Sequence, residues 1–233
     1  MIARIILLLL VVLFNLGLQC TAAFAYENAL FGYTHMLPSP YTPPAGRLAL
    51  GTTTGIGITD FFELQTNVLS DLFQIYNAEA RFSLLDFPSF ALGLFLGYQY
   101  TNLNVLSSNN PPIGLGAWMP GGVVGIEVIQ DIALFLGGNL FFPNVNPNGL
   151  GIDTSGYLQG AQVESDVSWA YNPGKKQVGN VISAGATYNF TFGFYGVGLS
   201  HHWKGFQIGF HYYPNASNLK VYPIFAGGAV VEL

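Results

Sequence analysis

Glu63, Gln65 and Asn67 occupy alternate positions in one short stretch, and Asn77, Glu79 and Arg81 do the same a few residues later. On an extended chain alternate side chains share a face, so each trio points one way. A short connection at residues 70–72 sets Glu63 opposite either Glu79 or Arg81, depending on register. Two acids and a guanidinium facing water form a charged constriction that selects solutes. The same groups facing each other in a narrow space form an ion-paired filling. Residue types alone leave both open. Glu127 and His211 have the same parity in their own stretches and join the set as candidates.

Ser200-His201-His202-Trp203 is the one histidine cluster. A hydrolase needs a serine or histidine pair with an acid or amide in reach. Adjacent histidines on a strand point to opposite faces, so His201 and His202 share neither a metal nor a triad. Ser200, His202 and His211 are the residues a lipid-modifying enzyme would use here, but the flanking residues match no barrel lipase or deacylase motif. No catalytic residue, metal or cofactor is therefore assigned. The Gly-x-Gly pairs lie inside alternating stretches, not before helices, which argues against nucleotide binding. With 7 basic against 12 acidic residues, a nucleic-acid partner is excluded as well.

The elements that hold these residues follow from composition. Of 233 residues, 51% are hydrophobic and only 8% charged, against about 25% charged in soluble domains. Arg4, the apolar run over residues 5–14 and Ala23-Phe24-Ala25 read as a Sec-type signal peptide over residues 1–25, leaving 26–233 as the mature chain. The single cysteine, Cys20, lies in that leader and follows Gln19, which argues against lipidation and leaves no thiol chemistry afterwards.

Beyond the leader, apolar residues recur with period two. Leu48, Leu50, Ile56 and Ile58 alternate with Arg47, Ala49, Gly55 and Gly57; Phe90, Leu92, Leu94 and Leu96 alternate with Ala91, Gly93, Phe95 and Gly97. Stretches this long with one greasy and one small or polar face suit strands between lipid and a lumen. In hydrocarbon such strands must close, since an open edge leaves backbone groups unpaired. The expectation is an all-β, closed antiparallel transmembrane β-barrel of about twelve strands, with ten as the alternative. The strands fall near 27–36, 47–58, 61–70, 74–85, 89–101, 118–129, 132–142, 156–170, 178–190, 192–203, 205–213 and 219–232. Tight turns at Thr59-Asp60, Asp86-Phe87-Pro88 and Gln130-Asp131 mark the periplasmic side. Residues 37–46, 102–117 and 144–155 read as longer loops.

Gly57-Ile58-Thr59-Asp60 followed by Glu63-Leu64 resembles the hairpin of outer-membrane barrels in the MetA-pathway-of-phenol-degradation, transporter-like family. Asn77-Ala78-Glu79-Ala80-Arg81 falls where that family carries Asn and then a basic residue, and the resemblance covers about residues 44–100. It implies a channel or transporter for small molecules in a Gram-negative outer membrane. Leu233 departs from the aromatic ending usual in barrels. The expected partners are outer-membrane lipids, lipopolysaccharide, the barrel-assembly machinery and small solutes. The leading expectation is passive passage of solutes past Glu63, Glu79, Arg81 and Glu127. The alternative is a plugged structural or surface-binding barrel acting through its loops.

Overall fold

The computed structural model describes residues 29–72, 75–102, 114–146, 160–171, 180–190, 193–203, 206–215 and 220–232. Twelve antiparallel strands close into one barrel, each bonded to its sequence neighbours, with the last strand returning to the first. They are β1 (Arg47–Gly51), β2 (Thr53–Thr59), β3 (Phe62–Asn67), β4 (Ile75–Phe87), β5 (Phe90–Asn102), β6 (Gly114–Ile129), β7 (Ile132–Asn146), β8 (Gly160–Ala170), β9 (Asn180–Asn189), β10 (Phe194–Trp203), β11 (Phe206–Tyr212) and β12 (Val221–Glu232). Among the described residues one α-helix, α1 (Val68–Leu72), follows β3 and precedes β4. Ile58, Leu94, Leu136, Val197, Ile208 and Phe225 are exposed on the outer face, while Ala91, Val123, Ala133 and Val181 are buried inside. That is the reverse of a soluble domain and is the inside-out pattern that period two requires.

The turns at residues 60–61, 88–89 and 130–131 sit at one end, together with the start of β1, since Arg47 registers with Glu232. This end is called the near end and the opposite one the far end. Asp131 makes its turn with φ of 67°, a left-handed conformation that aspartate tolerates better than most residues.

The strand count matches expectation by two compensating differences. Residues 29–36 of the expected first strand form no strand: Ala29–Gly32 make one 3-10 turn and the following residues lie outside the ladder, while residues 27 and 28 lie outside the described residues. Residues 47–58 are two strands, a tight hairpin about Thr52 with Leu48 opposite Ile56 and Ala49 opposite Gly55. The expected strand 61–70 ends at Asn67, where α1 begins. Segments 103–113 and 147–155 of the two expected far-end loops lie outside the described residues, as do residues 156–159 of the expected strand 156–170, and residues 102, 114–117 and 144–146 belong to β5, β6 and β7.

Residues 37–46 are not a surface loop either. Leu37, Pro40, Tyr41 and Thr42 are buried. They touch inward-facing positions around the barrel: a Cβ added at Gly93 on β5 would lie 2.8 Å from Pro40 Cα, and one at Gly137 on β7 would lie 2.7 Å from a Leu37 methyl. The segment therefore runs through the lumen as a stopper. Pro38, Pro40, Pro43 and Pro44 suit it to this place, since an extended proline-rich chain carries few N–H groups that need partners. Gly46, with φ of 73°, turns the chain out of the lumen into β1. Leu30, Leu37 and Tyr41 pack with Ala91, Val123, Ala133, Phe135, Ala170 and Val181 into a small apolar core between stopper and wall.

Candidate functional site

Two polar clusters project inward and hold the stopper from opposite walls. The first is the acid–guanidinium set. Register places Glu63 opposite Arg81 and Gln65 opposite Glu79. Arg81 Nη1 lies 3.4 Å from Glu63 Oε2, and its Nε lies 3.6 Å from Glu79 Oε1. Gln65 Nε2 donates to Glu79 at 2.6 Å. Arg81 Nη2 donates to the backbone carbonyl of Ser39, so the guanidinium ties wall to stopper. Glu63 is only 3% exposed, and such a carboxylate needs its cation close at hand. The structure thus brings Glu63, Glu79 and Arg81 together. Glu127 sits on β6 beside the 130–131 turn, two strands from Arg81, and His211 belongs to the other wall.

The second cluster spans β8 to β11. Asp166 Oδ2 accepts backbone N–H bonds from His35 (2.8 Å), Met36 (3.3 Å) and Leu37 (3.4 Å). Gln207 Nε2 donates to the carbonyls of His35 (2.7 Å) and Thr34 (3.2 Å), and Ser168 donates to that of Tyr33 (2.6 Å). Backbone groups of the stopper from Tyr33 to Leu37 are therefore satisfied by wall side chains. His35 Nδ1 lies 2.9 Å from Ser200 Oγ, and its Nε2 lies 3.0 Å from His211 Nδ1; Thr187 caps the far nitrogen of His211 at 3.0 Å. Ser183 links Ser168 (2.8 Å) to His202 (3.0 Å). Asp166 Oδ1 is buried with no hydrogen-bond partner among the described residues, so this anchor is only half satisfied.

The Ser200–His35 spacing matches a nucleophile and its base. The acid nearby, however, holds the His35 backbone and not its ring, and Ser200 is 2% exposed beneath the stopper. These groups meet the chain's own segment where an enzyme would meet a substrate. His201 and His202 do point oppositely: His202 is buried in the cluster, and His201 Nε2 pairs outside with Tyr171 Oη at 2.7 Å. His35, Asp166 and Gln207 escape sequence reasoning. The available signal is an excess of inward polar residues, Asp166, Ser168, Ser183, Ser200, His202, Gln207 and His211, which a barrel this narrow must pair with something.

Burial, with His211 alongside, pushes the His35 imidazole down to about 4 from its ordinary 6.5. A histidine held neutral in this way contributes its hold fully above pH 6.5, and that hold is lost as pH falls through about 4. Amide hydrogen exchange at residues 33–37, corrected for intrinsic rates, is expected to rise over that acid window and not on the alkaline side. Unchanged protection from pH 7 to pH 4 would remove His35 from the anchor.

Comparison with known proteins finds no family model and no curated protein that matches the chain.

Proposed function

We propose that the chain is an outer-membrane barrel that admits small solutes and is sealed against free ion flow by its own residues 29–46. The barrel fold and its greasy outer face support the membrane setting. The short turns and the start of β1 at the near end support a periplasmic near end, with the far end facing outward. The observation that carries the reading is the stopper itself, anchored by wall side chains at a half-satisfied carboxylate. A partly satisfied buried charge is a weak source of stability, which suits a segment that can shift. The resemblance of residues 44–100 to transporter-like barrels agrees with solute passage. The apolar packing of Leu30, Leu37 and Tyr41 favours a second reading, a permanently plugged structural barrel.

Planar-bilayer conductance separates these. The refolded mature chain is expected to be silent to ions, and the barrel lacking residues 26–44 to conduct, with cation preference reduced by Glu79→Gln. Steady conductance of the intact chain would contradict the seal. Silence of both, with insertion demonstrated, would favour the structural barrel.

A further inference from the structure

The wall of this barrel is not of even height. β1 and β2 have five and seven residues, while β5 and β6 pair over thirteen positions. Five residues rise about 17 Å along a strand and about 12 Å along the axis at a 45° tilt, half of an apolar band of about 25 Å. β12 pairs with β1 from Gly228 to Glu232 and Gly227 bonds to Thr52, while its outer half, residues 221–226, pairs with β11 alone among the described residues.

The free edge can be read residue by residue. Lys220 O accepts from Tyr213 N–H at 2.7 Å, and Gly227 O accepts from Thr52 N–H at 2.9 Å. Even-numbered β12 residues therefore bond to β11, and odd-numbered ones face the missing neighbour. The backbone groups of Val221, Pro223 and Phe225 meet no partner among the described residues. The facing edge is closed by contrast. Thr66 donates to Asn77 O at 2.7 Å, Asp71 of α1 accepts from Asn77 N at 3.2 Å, and Asn67 N donates to Asn77 Oδ1 at 2.6 Å. One side of the gap is sealed by side chains, and the other is open among the described residues.

We infer that this gap between β12 and β4 is a side opening through which a small apolar molecule with one hydrogen-bond donor passes between the far-end lumen and the bilayer. The inference rests on the uptake reading above and supplies its route. The stopper meets Gly57, Gly93 and Arg81 on one wall and reaches His211, the register partner of Tyr222, on the other, so the gap opens beside its far-end edge. Tyr222 faces inward beside the gap and is 49% exposed. In hydrocarbon an unpaired carbonyl costs several kcal/mol, so a passing donor is favoured at Val221, Pro223 and Phe225, while Phe225 and Pro223 suit an apolar body. A strand from a second barrel fits less well, since Pro223 brings no N–H to a ladder.

The probe is N-phenyl-1-naphthylamine, apolar with a single N–H and fluorescent on reaching lipid. It is added to cells carrying the full-length protein in the outer membrane, on a Cys20→Ser background. The barrel is expected to accelerate uptake. A bulky maleimide on Phe225→Cys is expected to abolish that gain, and the same adduct on Leu136→Cys, across the barrel, to leave it intact. Folding of each variant is checked by heat-modifiable mobility. Uptake no faster than in cells without the barrel, equal effects of the two adducts, or disulfide-linked dimers of the Phe225→Cys variant would each overturn the side opening. Conductance of the barrel lacking its stopper reports the uptake reading separately, so the two can fail independently.

Discussion

Asp166→Ala releases the stopper while leaving the barrel closed. The carboxylate accepts the backbone N–H groups of three consecutive residues, the shortest at 2.8 Å from His35. Removing it leaves those donors buried and unpaired, at about 1–3 kcal/mol for a donor fully lost. The twelve-strand ladder does not depend on this contact, because Asp166 reaches inward from β8 and its own backbone stays paired with β7 and β9. Limited proteolysis is expected to cut within residues 29–46 in Asp166→Ala but not in the parent, with heat-modifiable mobility retained. Asp166→Asn keeps one acceptor oxygen and is expected to protect most of the segment. Equal resistance of Asp166→Ala and parent would mean that the apolar packing of Leu30, Leu37 and Tyr41 holds the stopper unaided.

The opposite wall carries the larger energetic penalty. Arg81 is the cation beside Glu63 and Glu79, and it also holds the Ser39 carbonyl. Arg81→Met leaves Glu63 buried without compensation, and breaking a buried pair in this way costs about 3–5 kcal/mol. The urea midpoint in lipid vesicles is expected to fall accordingly. The double variant Arg81→Met, Glu63→Gln removes the stranded charge together with its partner and is expected to recover most of the loss. Without such recovery, Arg81 acts through Ser39 and the stopper more than through the acid.

Much of the fold is legible in the sequence because a closed barrel with an apolar outer face and a small or polar inner face imposes period two on its strands. Leu94, Leu96, Leu134 and Leu136 on one face, with Gly93, Ala133 and Gly137 on the other, allow no other assignment. The β1–β2 hairpin is invisible for the same reason. Leu48 sits opposite Ile56, an even separation, so the alternation runs through the turn at Thr52 without a break. The stopper is hidden differently. Its prolines mark it as outside a ladder, but whether such a segment lies on the surface or inside depends on groups more than a hundred residues away, such as Asp166 for His35. The acid–guanidinium set was legible because all its members lie within two adjacent strands, where parity settles the face and register alone selects Arg81 as the partner of Glu63. His211 has the right parity but the wrong wall, and parity carries no information about which strands meet across a lumen.

The central claim is that residues 29–46 seal the barrel from within. Its most direct test is the reactivity of a thiol introduced by Tyr41→Cys, at a position that is 2% exposed, toward a membrane-impermeant maleimide on a Cys20→Ser background. Gln130→Cys in the exposed β6–β7 turn serves as the control. In the refolded barrel the turn thiol is expected to react readily and the stopper thiol to stay protected, with both reacting at similar rates in urea. A stopper thiol that reacts as fast as the turn thiol in the folded barrel would place the segment outside the lumen and contradict the account.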